Sequence, residues 1–200
     1  MFGGPDWDRL DKDFLRAPLQ LARDTLTPAS LAWLDALPET MVIEDFTIIH
    51  ASPTDPLWEY VTTPEQAGHA LELIGTQHGL HGHTHVPANW EMPLPGATTT
   101  GDPTLPGPAI AGAGRGAAGS TVAGPMGPGP MALAGARHYL NPGSVGLPRD
   151  GDPRASLVVL DLEAGTAEFR RVAYDIDATA RDIRAANLPE YLATRIYEGR

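Results

Sequence analysis

Three histidines stand at alternate positions in the segment GLHGHTHVP, namely His81, His83 and His85. The neutral imidazole of histidine is the commonest side-chain ligand for zinc, iron, nickel and manganese-type ions at neutral pH. Gly82 and Thr84 favour a strand that ends and turns within this segment, so that His83 and His85 project from a loop towards points close together. The spacing therefore predicts a metal site.

Another histidine, His50, follows the apolar segment MVIEDFTII and precedes a turn-forming Ala-Ser-Pro sequence. The apolar segment is rich in β-branched and aromatic residues, which predicts a strand that ends at His50. Ligand sites of α/β proteins collect at strand ends. We therefore predict that His50 joins His83 and His85 as a metal ligand. The histidines outside this set are interpreted as surface or core groups: His69, His78 and His138.

Two helices are predicted in the first half of the chain. Thr27 caps the first, TPASLAWLDALP, and Pro28 suits its first turn. The second, TPEQAGHALELIG, carries a capping box formed by Thr63 and Gln66, and it ends at Gly75.

The second half of the chain predicts a strand pair followed by a helical tail. ASLVVLDL and AEFRRVAY alternate as strands do, and Gly165 lies in the turn between them. The tail DATARDIRAANLPEYLATRIYEGR is predicted to be helical from Asp177, interrupted at Pro189 and ended near Gly199. Strands mixed with helices place the chain in the α/β class.

A segment of different composition, residues 93–135, divides these two halves. Nineteen of its 43 residues are Gly or Pro, and Asp102 and Arg115 are its only charged residues. Such a segment buries too little apolar surface to offset the entropy of ordering. We interpret it as a low-complexity insertion within a single domain that spans residues 1–200.

The overall composition excludes several classes of protein. The chain has 14 basic and 25 acidic residues and a net charge of −11, which argues against a nucleic acid polymer or an anionic membrane as partner. It has no cysteine, which excludes disulfides and thiolate metal sites. No signal peptide and no apolar run of the roughly 20 residues needed to span a membrane are visible, so we expect a cytoplasmic protein.

GHTHVP, together with the upstream IIHASP and the downstream NPGSVGLPRDGDPRAS, resembles the calcineurin-like metallophosphoesterases. The likeness is greatest to small bacterial proteins related to diadenosine tetraphosphatases and serine/threonine protein phosphatases, and it covers about residues 27–200 apart from the insertion. It implies a four-layer α/β/β/α sandwich with two divalent metal ions. It further implies that His50 and His83 ligate one ion and His85 the other.

Three N-terminal motifs of that family have no counterpart here. The family has D-x-H, then G-D, then G-N-H ahead of its later histidines, and they supply a bridging carboxylate and a general-acid histidine. The G-D pairs of this chain, which end at Asp102 and Asp152, both follow the histidine cluster. We therefore expect an N-terminally truncated domain, in which no catalytic residue is identifiable and which holds at most one ion.

Other polar residues lie near the segments that resemble the family. Arg149 could bind a phosphate oxygen of the substrate, or it could be a charge on a surface loop. Asp55, Asp150 and Asp152 are interpreted as turn-forming residues, and Asn141 as a residue that shapes a turn beneath the site.

Three functions follow from these observations. The first is a metal-dependent phosphoesterase that hydrolyses phosphate mono- or diesters with a metal-activated hydroxide and uses Mn, Fe, Zn, Co or Mg. Its substrate would be a small phosphorylated molecule or a phosphoprotein. The second is an inactive remnant that binds one ion or none, and the third is a hydrolase with a single zinc ion. An exposed sheet edge would also favour self-association.

Overall fold

The structure, a computed structural model, describes residues 13–95, 97, 122–123 and 126–200. Its helices are α1 (Asp13–Thr25), α2 (Pro28–Asp35), α3 (Pro64–Leu73), α4 (Ile176–Ala185) and α5 (Glu190–Arg195). Its strands are β1 (Thr40–Ile43), β2 (Phe46–Ile49), β3 (His78–Leu80), β4 (Ala88–Pro93), β5 (Val122–Ala123), β6 (Met131–Ala132), β7 (Ala136–Asn141), β8 (Ala155–Asp161) and β9 (Thr166–Val172).

The strands form two sheets. The larger has the order β1-β2-β3-β7-β4-β5, and the smaller has the order β6-β9-β8. At the centre of the larger sheet β2, β3 and β7 are parallel, with Ile48 opposite Leu80 and Leu80 opposite Leu140. All other strand pairs are antiparallel. The carboxyl ends of three strands from separate parts of the chain therefore meet at one edge.

The larger sheet is covered on both faces. Helix α3 packs on one face, where Leu71, Trp90 and Tyr139 belong to a buried apolar cluster. The smaller sheet packs on the other face, where Phe46 and Leu140 meet Ala167. Strands β3 and β7 therefore lie between two apolar layers. This arrangement confirms the predicted α/β class with two sheets and helices.

The predicted caps of α2 and α3 are confirmed. The Thr27 hydroxyl accepts a hydrogen bond from the backbone N–H of Ser30, and Thr63 and Gln66 form the predicted capping box. The prediction for the C-terminal helices needs one correction, because Asp175 rather than Asp177 caps α4. Asp177 lies within the first turn, where a carboxylate is also favoured by the helix dipole.

The prediction of one strand ending at His50 is corrected by the structure. The segment forms two antiparallel strands, β1 and β2, with Ile43 opposite Phe46 and the turn at Glu44-Asp45. Glu44 has a φ of 47°, a left-handed conformation that such two-residue hairpin turns require. Helix α1 was also not predicted, and Pro18 inside it is a residue that normally interrupts helical patterns.

The predicted insertion lies largely outside the described residues, which include only its residues 93–95, 97, 122–123 and 126–135. Pro93 belongs to β4, and the short strands β5 and β6 lie within the predicted range. The reading of the rest as a low-complexity insertion, and of residues 1–200 as one domain, stays a prediction. Within the described ranges, no helix is long and apolar enough to cross a membrane.

Candidate metal centre

The predicted histidine ligands lie at the edge where the parallel strands end. His50 directly follows β2 and His81 directly follows β3. The backbone N–H of Gly82 donates to the carbonyl of His50 at 2.9 Å, and that of His81 donates to the carbonyl of Leu140 at 2.9 Å. These bonds continue the parallel pairing past the strand ends and fix the histidine-bearing segments side by side.

His50 and His83 face each other across this edge. Their Nε2 and Nδ1 atoms are 3.0 Å apart, and the ring centroids are 4.8 Å apart at an angle of 68°. Burial lowers the pKa of both imidazoles, and the neighbouring His50 lowers that of His83 further. Each neutral ring has one N–H donor and one lone pair, so the two facing nitrogens share either a proton or a cation.

The loop that carries His83 and His85 has an unusual backbone. Both residues have positive φ, 63° and 60°, a left-handed conformation that costs free energy for residues other than glycine. Fully buried Asn141 holds the loop, because its side-chain amide donates to the carbonyl of Gly82 at 2.8 Å and to the Thr84 hydroxyl at 2.9 Å. Asn141 thus shapes the backbone beneath the site, as the sequence predicted.

His85 is oriented by a backbone carbonyl. Its Nδ1 lies 2.8 Å from the carbonyl oxygen of Leu147. Because a carbonyl oxygen only accepts hydrogen bonds, Nδ1 must carry the proton. This tautomer leaves a lone pair on Nε2, the arrangement common for metal-binding histidines. Burial lowers the pKa of His85, which also favours the neutral form. His85 is thus prepared to bind a cation through Nε2.

His81, the first residue of the histidine cluster, has a different place. It is only 3% exposed and stacks on the Tyr139 ring at 4.3 Å and 6°. Burial lowers its pKa to about 3, so the ring is neutral. His81 is therefore a core residue at the strand end, whereas His83 and His85 lie in the loop that follows.

The carboxylates near the site are engaged elsewhere. Asp150 pairs with Arg171, and Asp152 pairs with Arg154 at 2.6 Å, which lowers the pKa of Asp152 to about 2. Asp55 accepts a backbone N–H within its own turn. Within the described part of the chain, no group of three or more His, Asp or Glu residues is arranged to hold a metal ion. The imidazole pair thus fits part of a metal donor set, and no carboxylate among the described residues completes that set.

Tyr60 belongs to the site although no sequence pattern selects it. Its ring centroid lies 4.3 Å from that of His83, and its hydroxyl accepts a hydrogen bond from Nη1 of Arg149 at 3.5 Å. Tyr60 falls within HASPTDPLWEYV, but a tyrosine after a turn has no spacing that distinguishes it from a core residue. Arg149 also donates its backbone N–H to the carbonyl of His85 at 3.1 Å. The predicted phosphate-binding arginine therefore lies directly beside the histidine loop.

The remaining histidines are surface or core groups, as predicted. His69 is exposed on α3, next to Glu72. His78 and His138 are buried between the sheets, where the backbone N–H of His138 donates to Nδ1 of His78 at 3.1 Å.

Comparison with known proteins gives matches of different extent. No protein-family model matches the chain. An uncharacterized protein of Methanocaldococcus jannaschii is 42% identical over 64 residues, which cover 32% of this chain and 26% of that protein. The solved structure of a hypothetical protein from Pyrococcus horikoshii has a TM-score of 0.63 at 20% identity and covers 100% of this chain and 67% of that one, which shows a shared fold.

A further solved structure carries a functional description. The metallophosphoesterase from Sphaerobacter thermophilus is 32% identical, with a TM-score of 0.70, over 88% of this chain. The chain spans 64% of that protein's length. The match alone therefore does not show that this chain has the activity of the whole relative. Sequence and fold together confirm the resemblance to metallophosphoesterases first indicated by GHTHVP.

Proposed function

We propose that this chain supplies the imidazole ligands of a metal-dependent phosphoesterase, which hydrolyses phosphate mono- or diesters. The observation that carries the proposal is the His50–His83 pair, two neutral rings with facing nitrogens 3.0 Å apart at a strand-end edge. The relation to a metallophosphoesterase supports the same reaction class. The family generally uses divalent metal ions, and of the expected Mn, Fe, Zn, Co and Mg, imidazole ligands suit Fe and Zn best.

Each residue has a defined part in this proposal. His50 and His83 would hold one ion, and in a complete two-metal site His85 would offer its Nε2 to the second. When bound, a divalent ion supplies a water of lowered pKa and offsets the negative charge of the phosphate. Arg149 would bind a phosphate oxygen, and Asn141 holds the loop in place. Because the described carboxylates are engaged elsewhere, we expect this chain alone to hold at most one ion.

The partners in this proposal are a small phosphorylated substrate or a phosphoprotein, in the cytoplasm. The net charge of −11 disfavours a nucleic acid polymer or an anionic membrane. We also propose that the chain associates with itself through strand β1, whose residues are all exposed and whose outer edge pairs with no strand of the described chain.

Metal binding tests the first part of the proposal. We expect calorimetric titration of the metal-depleted chain with Mn²⁺ or Zn²⁺ to give a stoichiometry of up to one ion. His50→Asn and His83→Asn should each weaken binding about tenfold or more, because each removes one of few ligands. His69→Asn, an exposed histidine on α3, is the matched control and should bind as wild type. Equal affinity for all four proteins would contradict the proposed ligands.

A specific observation favours a second candidate function, an inactive remnant that binds one ion or none. Among the described residues, no group of three or more suitable side chains is arranged so that it could hold a metal ion, which also disfavours the single-zinc hydrolase. Hydrolysis of a nitrophenyl phosphodiester by the chain with Mn²⁺ separates the two. Turnover that falls on His85→Ala supports the phosphoesterase, and the absence of turnover despite metal binding supports the remnant.

A further inference from the structure

A large cavity lies between the first two helices and the edge strands of the two sheets. It has a volume of about 930 Å³ and is lined by residues of α1, α2, β1, β2, β3 and β8. Cavities of roughly 300–1,000 Å³ are of the size that buries most of a small organic ligand. This cavity therefore has room for a small molecule.

The wall of this cavity is almost entirely apolar. Its helix side is formed largely by leucines, including Leu31 and Leu34 of α2, and its sheet side includes Ile48 of β2 and Leu160 of β8. Leu31 and Leu34 remain 37% and 45% exposed, and α2 has no buried residue. Because apolar side chains are stabilised when they leave water, these leucines favour an apolar molecule in the cavity.

The polar part of the lining differs between the helix side and the strand-end side. Among the described residues that line the cavity, the charged ones are Arg23, Asp35 and Glu39, which belong to α1, α2 and the segment before β1. His50 and Gly82 line the cavity where it meets the candidate metal centre. Two carboxylates against one guanidinium disfavour an anion on the helix side. An apolar ligand with an anionic head would therefore place its head beside His50, where the proposed metal ion adds positive charge.

The cavity is distinct from the flat apolar surface beside it. Trp33, Val42 and Ile43 are exposed by 64%, 61% and 46%, yet these three residues do not line the cavity. A second copy of the chain that paired with β1 would contact this outer surface. The cavity is concave and bordered by two helices and by strands of both sheets, which suits a small molecule.

We propose that the cavity binds the aliphatic alcohol part of a phosphate ester, with the phosphate beside His50. The substrate class would then be phosphate esters of long-chain aliphatic alcohols, taken up as single molecules. That the bound molecule is a substrate rests on the proposed function. That an aliphatic chain binds in the cavity does not.

Calorimetric titration of the chain with octan-1-ol in the presence of a chelator tests the cavity without metal or phosphate. We expect saturable binding with a dissociation constant below about 1 mM. Leu34→Gln should weaken this binding about fivefold or more, because it replaces an apolar wall by a polar one. Trp33→Gln, a change at the neighbouring exposed position of the same helix, is the matched control and should bind as wild type.

Three results of this titration would overturn the proposal. They are no binding by wild type up to the solubility limit of octan-1-ol, wild-type affinity of Leu34→Gln, and equal weakening by Trp33→Gln and Leu34→Gln. The last result would place the alcohol on the outer surface of α2. Ala22→Trp gives an independent test, because a large ring on α1 fills part of the cavity and should reduce binding about tenfold or more.

A second copy of the chain is the alternative occupant, and light scattering distinguishes it. If a second copy filled the cavity, Ala22→Trp would abolish self-association, and octan-1-ol would bind more weakly as the protein concentration rises. Both results would overturn the proposal. We expect octan-1-ol to bind equally well at all protein concentrations, and Ala22→Trp to associate as wild type does.

Hydrolysis of octyl phosphate and methyl phosphate with Mn²⁺ tests whether the bound chain belongs to a substrate. We expect kcat/KM to be about tenfold or more higher for octyl phosphate, and Leu34→Gln to lower it for octyl phosphate alone. Equal kcat/KM for the two esters would overturn the substrate class and leave the proposed function standing. Binding of octan-1-ol without hydrolysis of either ester would refute the proposed function and leave the aliphatic site intact.

Discussion

Asn141 is the residue on which the shape of the histidine loop depends most directly. Its fully buried side chain donates to Gly82 and Thr84 and accepts the backbone N–H of Gly143 at 2.9 Å. Asn141→Ala leaves these groups unpaired, and each such group costs about 1–3 kcal/mol. We therefore expect the free energy of unfolding to fall by about 3 kcal/mol in urea denaturation.

A second substitution at the same position separates the lost hydrogen bonds from the lost volume. Asn141→Asp keeps the shape and the acceptor for Gly143 but loses the two donated bonds, so it should also destabilise the fold. A change below about 0.5 kcal/mol for both variants, the size usual for surface substitutions, would show that the loop does not depend on Asn141.

Two buried histidines between the sheets make stability depend on pH. Burial lowers the pKa of His78 and His138 from 6.5 to about 4. Between about pH 4 and pH 6.5, these two histidines are protonated in the unfolded chain but neutral in the folded chain. The free energy of unfolding therefore has its full value above pH 6.5 and decreases as the pH falls. Each histidine contributes a slope of about 1.4 kcal/mol per pH unit. Burial raises the pKa of Glu91, so this carboxyl binds a proton more readily in the folded state than in the unfolded state. Its protonation therefore offsets part of the loss of stability as the pH falls.

Urea denaturation of metal-free protein between pH 7 and 4.5 measures this dependence. His138→Gln should have a shallower slope than wild type, because it removes one of the excluded protons. The exposed His69→Gln should have the wild-type slope. Parallel slopes for all three proteins would show that His138 is not responsible.

Part of the site was predictable at this scale, and part was not. His50, His83 and His85 could be selected because imidazoles followed strand signals in the sequence. Tyr60 could not, because its place in the site depends on a ring contact with His83 that no local sequence pattern indicates. The same holds for Leu147, whose contribution to His85 is a backbone carbonyl that any residue would offer.

At the scale of elements, α2 and α3 have similar caps but different environments. Thr27 and Thr63 each accept a backbone N–H, from Ser30 and Gln66 respectively. Helix α3 packs on the core through Leu71, whereas α2 has no buried residue. We expect Thr63→Ala to lower the free energy of unfolding by about 1 kcal/mol. Thr27→Ala should change it little, because α2 contributes little to the cooperative core.

Thermal and urea unfolding of the two variants test this difference. Equal losses would mean that α2 unfolds together with the core, contrary to its exposed position. The caps themselves were readable from sequence, because Thr-Pro ahead of a helical pattern is a local signal, which Gln66 strengthens in α3. The β1–β2 turn was not, because the apolar residues continue on both sides of Glu44-Asp45.

At the scale of the whole molecule, the face near β1 is unusually apolar for a surface. Met41, Val42 and Ile43 are exposed, Val42 by 61%, and Trp33 of α2 lies exposed by 64%. A cavity of about 930 Å³ opens beside them, lined by leucines of the first two helices and reaching His50 and His81. An edge strand with such side chains is a template for pairing with another strand.

We expect light scattering after size exclusion to show association of the chain that increases with its concentration. Val42→Lys should reduce it, because a charge on an edge strand opposes pairing. Leu162→Lys, a similarly drastic change in the turn between β8 and β9, should have no effect. A monomer at all concentrations would refute association through this edge.

The parallel arrangement of β2, β3 and β7 has a consequence for the order of events in folding. His50 and His83 are separated by 33 residues, and His81 and Asn141 by 60, so the site needs pairings that close long loops. Contacts of this kind form slowly compared with helices and the β8–β9 hairpin. The facing imidazoles and the left-handed loop therefore exist only in molecules that have completed the centre of the larger sheet. A partly folded chain that had only its helices and its hairpin would lack the proposed metal site.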